Sequence, residues 1–195
     1  MSREPGDRHD QILAVAAGLF ARKGVAATTV REIADEVGIL SGSLYHHFES
    51  KEAMVDEILA PYLRDLRAAC GQAIAAKDDP AARLRRLIAA SLQVASAHPH
   101  ATEIYQSDVN YLTQSDRFGY LTDAAAQVRT TWLRVIEDGV SSGAFRPDVD
   151  PGIVYRLMRD AIWLSVRWFK PTAAYSPASF AADCTSLFLD GLAAR

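Results

Sequence analysis

The chain has 195 residues, with 21 Lys and Arg against 24 Asp and Glu, a formal charge of -3 and a pI near 5.9. Apolar residues make up 49% and charged residues 23%, a balance that allows a buried core and excludes disorder as the main state, while the acidic sum argues against a generic nucleic-acid binder. Cys70 and Cys184 are too few and too far apart for a disulfide framework or a thiolate metal site, which suits a reducing cytosol.

Apolar positions recur every three or four residues and nowhere alternate in twos, so the chain is predicted to be all-α. The longest apolar run, residues 12–21, is far short of the roughly 20 residues that cross a bilayer. Charged residues flank it and no cleavage site follows, so neither a membrane span nor a secretory signal is expected, and the location is expected to be cytoplasmic. About nine helices are predicted, over 8–23, 29–37, 41–47, 50–76, 80–97, 99–110, 116–141, 151–169 and 177–193. Four of them are started by proline after a capping residue: Asp79-Pro80, His98-Pro99, Asp150-Pro151 and Ser176-Pro177. Gly38, Gly143 and Gly191 lie near helix ends, whereas Gly71 fits either an end or an interior position. The first three helices are short and closely connected, so a boundary falls near residue 50, separating a domain over 1–50 from a larger helical domain over 51–195.

The informative stretch comes early. Thr29 and Glu32 stand at capping-box spacing, with Val30, Ile33, Ala34 and Val37 on one helical face. Gly38 ends that helix, Ile39 and Leu40 are expected to fill the corner, and Ser41-Gly42-Ser43-Leu44-Tyr45-His46-His47-Phe48 begins another. Two short helices about a glycine turn indicate a helix-turn-helix. Ser41, Gly42 and Ser43 are small enough for close approach to DNA, Tyr45 and His46 can donate hydrogen bonds, and Leu44 and Phe48 anchor the opposite face. Thr28, Thr29 and Lys51 stand at helix starts, where phosphates are held.

These residues carry a resemblance. Over 12–58, above all Thr28-Thr29-Val30-Arg31-Glu32-Ile33-Ala34 and Gly42-Ser43-Leu44-Tyr45-His46-His47-Phe48-Glu49-Ser50-Lys51-Glu52, the chain resembles the DNA-binding domain of the TetR family. The resemblance implies a homodimeric, all-helical transcriptional repressor that leaves its operator when a small molecule enters the C-terminal domain. It maps DNA contacts onto Thr28, Thr29, Ser43, Tyr45, His46 and Lys51, to which the spacing adds Ser41 and Gly42. Where the family often has Ser-Lys at the entry to the reading helix, this chain has Leu40-Ser41.

In the predicted eighth helix, Leu157, Ala161, Leu164 and Trp168 form an apolar stripe, read as core or dimer seam. Arg159, Trp163 and Arg167 recur every fourth residue on the other side, which reads either as a solvated basic face with a packed indole or as an anion site suited to coenzyme A. Tyr105, Gln106 and Trp132 are candidate lining residues. Phe180, Leu187, Phe188 and Leu189 on the ninth helix are expected to join the dimer bundle. A narrower resemblance, carried by residues 39–48, 143–148 and 166–168, is to the actinobacterial TetR-type repressors of the later, ring-degrading cholesterol-catabolism genes, and it implies an acyl-CoA thioester as inducer. Other readings are a TetR-type regulator of another pathway or of efflux, and, remotely, a small helical hydrolase.

The hydrolase reading rests on Gly139-Val140-Ser141-Ser142-Gly143, which fits G-x-S-x-G but sits at a helix end without the strand that a nucleophile elbow needs. His98-Pro99-His100 has no ligand cluster beside it. No enzyme activity, cofactor or metal is expected. Up to Lys51 there are six basic and seven acidic side chains, so even the helix-turn-helix lacks a basic excess, and the initial inference from charge gives way to the motif. Specific affinity is then expected from two placed helices in a dimer reading a palindromic operator, with a modest salt slope unless Arg3 and Arg8 add contacts.

Overall fold

Each proline start expected from the sequence begins a helix in the computed structural model, which describes residues 5–75 and 78–193, with side chains from Arg8 onward. Arg3 and the predicted helix end at Ala76 lie outside the described residues. Those residues form nine α-helices: α1 (Pro5–Lys23), α2 (Val30–Val37), α3 (Ser41–Leu44), α4 (Lys51–Ala75), α5 (Pro80–Ala97), α6 (Pro99–Leu112), α7 (Gly119–Ser141), α8 (Pro151–Trp163) and α9 (Pro177–Leu192). They include no named strand, only an isolated bridge between Phe145 and Ala193. Asp79, Asp150 and Ser176 each accept the N–H of the third residue on, while proline occupies the first helical position, where its missing N–H costs nothing.

The differences from expectation have local causes. The third helix stops at Leu44 instead of 47, and Tyr45 to His47 form a turn closed by the Phe48 N–H on the Leu44 carbonyl. Leu40 precedes that helix without offering a side-chain acceptor, and it is 80% exposed instead of filling the corner. The eighth helix ends at Trp163, because the chain tightens into a 3-10 turn over Leu164–Arg167, with the buried Ser165 hydroxyl donating to the Ile162 carbonyl. A shorter 3-10 turn, Asp116–Phe118, precedes α7. Gly71 is interior to α4, as is Pro61, which the sequence reading passes over.

Contacts divide the chain into two units, Met1–Tyr62 with His100–Gly119, and Leu63–Pro99 with Tyr120–Arg195. The first is built on α1 to α3, with Ile12, Phe20, Ile33, Leu44 and Phe48 in its core. In the second, α5 packs against α8 and α9, and the fully buried Trp132 of α7 meets Tyr155 and Trp163 of α8. Arg83 reaches from α5 to Asp138 of α7 at 2.9 Å, and Arg86 donates to the Ala73 carbonyl at the end of α4. No described helix is long and apolar enough to cross a membrane.

The end of α7 explains the hydrolase-like pattern. Gly143 has φ +76° and turns the chain back, so the Phe145 N–H reaches the Gly139 carbonyl at 2.9 Å and its ring lies on Gly139. A Cβ at Gly139 would meet ring atoms at 2.0, 2.2 and 2.8 Å, inside any permitted contact. Gly139→Ala is therefore expected to cost about 1–3 kcal/mol through overpacking, read as a lower urea midpoint, with Phe145→Leu partly relieving the loss.

Candidate nucleic-acid interface and effector region

The reading surface depends on the turn between α1 and α2. Gly24, at φ +84°, leaves α1, and the hydroxyl of the fully buried Thr28 donates back to its carbonyl at 2.8 Å. Lys51 Nζ donates to the Val25 carbonyl at 2.7 Å and to that of Thr28 at 3.0 Å, so the first residue of α4 holds both ends of the turn. From α6, in the same unit, Asp108 accepts the Val25 N–H at 3.3 Å. Burial pushes its carboxyl above the usual range, against the lowering effect of that backbone bond.

Thr29 then caps α2 with both halves of the capping box: its hydroxyl accepts the Glu32 N–H at 3.2 Å, and Glu32 accepts the Thr29 N–H at 2.9 Å. Lys23 donates to the other Glu32 oxygen at 2.8 Å. That bond, with those from Thr29, lowers the Glu32 carboxyl to about 2. Gly38, at φ +76°, closes α2 with its N–H on the carbonyls of Ala34 and Asp35.

Beyond this corner the residues sort by face. Leu44 and Phe48 are buried, with His9 of α1 stacked on Phe48 at 4.4 Å. Gly42, His46 and Tyr45, the last 57% exposed, face outward, Ser41 and Ser43 are half-buried, and Thr29 is exposed beside them. Of the expected DNA contacts, Thr28 and Lys51 point into the turn, whereas Thr29, Ser41, Gly42, Ser43, Tyr45 and His46 remain accessible. Sequence reasoning missed Lys23, Gly24 and Asp108 as parts of this assembly. Asp108 had left a signal: it stands between Ile104 and Leu112 at four-residue spacing on the apolar face of α6, where a carboxylate needs a partner.

In the second unit, Trp163 is only 2% exposed and meets Trp132 edge to face, with ring centres 5.8 Å apart. Tyr155 lies 6.3 Å from Trp132. The indole is thus inside, not bracketed by guanidinium groups on an outer face. Arg159 is exposed and donates to Asp160 at 2.8 Å, and Arg167 sits on the 3-10 turn, whose tighter winding takes it off the column that continued α-helix would have made. Tyr105, tilted against Tyr62 at 5.8 Å, and the half-buried Gln106 belong to the first unit. Of the apolar stripe, Leu157 and Trp168 are exposed, as is Ile153 on the same helix and, at 76%, Leu187 on α9; Phe180 and Leu189 are buried. A half-open groove of about 790 Å³ runs between α5 and α9, walled by Arg85, Ala89, Leu92, Ala182 and Leu189.

Comparison with known proteins agrees with this architecture. Residues 12–58 match the model of the bacterial regulatory proteins of the tetR family, and residues 77–192 match a tetracyclin repressor-like C-terminal domain. The chain is 44% identical over 186 residues to the HTH-type transcriptional repressor KstR2 of Rhodococcus jostii, covering 95% of this chain and 91% of that protein. It is 41% identical over 185 residues to KstR2 of Mycobacterium tuberculosis, covering 95% and 92%. The solved structure of the ketosteroid transcriptional regulator KstR2 of Mycobacterium tuberculosis superposes with a TM-score of 0.88 at 40% identity over 96% of each chain. These relatives are regulators, not enzymes.

Two outcomes follow from the turn and the cap. Lys51→Met leaves two backbone carbonyls without their ammonium donor and is expected to cost roughly 1–3 kcal/mol in urea unfolding. Because the Glu32 carboxyl is lowered from 4.5 to about 2 on folding, its contribution is present above pH 4.5 and is lost as the pH falls toward 2. The gap in Tm between wild type and Glu32→Gln should therefore close over that interval in thermal melts followed by circular dichroism.

Proposed function

Since the chain belongs to the TetR family, a TetR-type transcriptional repressor related to KstR2, we propose that it binds a palindromic operator as a homodimer and releases it on binding an acyl-CoA thioester. The observation that carries the DNA half is the sorting of the α2–α3 corner. Leu44 and Phe48 are sunk in the core while Gly42, Tyr45 and His46 stand clear of it, a surface suited to the major groove. In this reading Ser43, Tyr45 and His46 make groove and backbone contacts, Ser41 and Gly42 allow close approach, and Thr29 meets phosphate. Thr28 and Lys51 act through the turn they hold.

Exposed Ile153, Leu157, Trp168 and Leu187 support a second copy seated on the α8–α9 side, since apolar surface of this kind is retained where a partner covers it. The effector half rests on the second unit. Trp163 and Trp132 supply an aromatic interior for an acyl group, and Arg159 and Arg167 supply exposed guanidinium groups suited to the phosphates of coenzyme A. The printed name of the Mycobacterium tuberculosis relative, a ketosteroid regulator, supports a steroid-derived acyl group. A repressor of this class works in the cytoplasm.

Gel shifts on the DNA upstream of the protein's own gene, titrated with coenzyme A, simple acyl-CoAs and steroid-derived acyl-CoAs, test both halves. Tyr45→Phe should weaken binding to every operator variant, whereas Ser43→Ala should mainly relax base preference. Trp163→Leu should hold the operator and fail to leave it when acyl-CoA is added. Release by bare coenzyme A alone would discard the acyl-thioester reading, and normal release of Trp163→Leu would discard that residue's role.

A further inference from the structure

Where the chain enters α3, local preferences are broken at two nearby residues. Leu40 holds the cap position, with φ -72° and ψ 141°, and its side chain makes no capping bond, where serine, threonine, aspartate or asparagine would make one. The same leucine is 80% exposed, more than any other large hydrophobic side chain among the described residues. Gly42 lies within α3, yet its φ is not positive and a Cβ at that position would meet no neighbour within 4 Å. Nothing among the described residues calls for either choice, although a helical glycine and an uncapped start both weaken α3. Departures of this kind concentrate where a surface is shaped for something outside the protein.

We propose that Leu40 reads the 5-methyl group of a thymine in the major groove, with Gly42 leaving room for the base-pair edge against the backbone of α3. A protein interface needs a contiguous apolar patch. In the first unit the other exposed large hydrophobics among the described residues, Tyr45 and Tyr111, end in hydroxyl groups, so Leu40 is the one aliphatic member. A lone aliphatic side chain matches a single methyl group in size. Thymine presents that group in the major groove beside its O4 acceptor, so the contact separates T·A from C·G without a hydrogen bond. The proposal rests on the operator reading above and adds to it a base and the residue that reads it.

The probes are duplexes selected from a random pool by the full-length wild-type protein. Thymines in each half-site are replaced one at a time by deoxyuridine, which removes only the 5-methyl group, and binding is followed by fluorescence anisotropy at one salt concentration. At one thymine per half-site, uracil should weaken wild-type binding about fourfold for each half-site, as for one buried methyl group, and so about fifteenfold for a dimer. Leu40→Ser should lose that penalty while its urea midpoint stays level or rises, because serine can cap α3. Leu40→Met, which keeps an apolar side chain of similar volume, should retain the penalty. Gly42→Ala should fold with a level or raised midpoint and lose affinity for the thymine and uracil duplexes alike. Equal uracil penalties in wild type and Leu40→Ser, no thymine at which uracil lowers wild-type affinity, or undiminished affinity of Gly42→Ala overturns the proposal and leaves operator binding standing. Failure of the wild type to select any duplex removes operator binding, and this proposal with it.

Discussion

The ammonium group of Lys51 is the point on which the first unit turns. It closes the six-residue passage from α1 to α2 by taking the carbonyls of Val25 and Thr28, the second of which immediately precedes the cap of α2. Thr29 can therefore cap only where Lys51 has set it, and α3 follows from α2 through the fixed geometry of Gly38. A residue that the motif presents as a phosphate contact is, in the folded chain, an internal brace. Asp108 adds a second grip on Val25 from a helix more than eighty residues away, so the turn is tied to segments that are not its neighbours in sequence.

An analogous inversion occurs in the second unit. Helical periodicity placed Trp163 between arginines on an outer face, but the winding changes immediately after it and the indole turns into the core beside Trp132. The aromatic ring and the guanidinium groups, which look like one constellation in the sequence, are divided between interior and surface. An interior that packs two indoles and a phenol ring edge to face is unlike a plain aliphatic core.

Legibility in the sequence followed the range of the interactions involved. The proline starts, the capping box at Thr29 and Glu32 and the αL stop at Gly38 are set by residues within four positions of one another, and each was readable. The lengths of α3 and α8 were not, because a 3-10 turn and an α-turn share the same apolar spacing over three or four residues. The inward roles of Thr28 and Lys51 depend on a turn closed across 23 to 26 residues, which periodicity does not register. The net charge misled for a related reason: a sum over residues says nothing of which ones a fold turns outward.

Phe145 lies on Gly139, and that contact bears on how the chain can vary over evolutionary time. A glycine kept to make room for a ring is bound to that ring, not to a reaction, so substitution at either position opens or closes the choices at the other. Relatives with a smaller side chain in place of Phe145 are free to lose the glycine, and with it the G-x-S-x-G pattern. In this fold that pattern is a by-product of packing, and its appearance and disappearance along a lineage should follow the size of one aromatic residue.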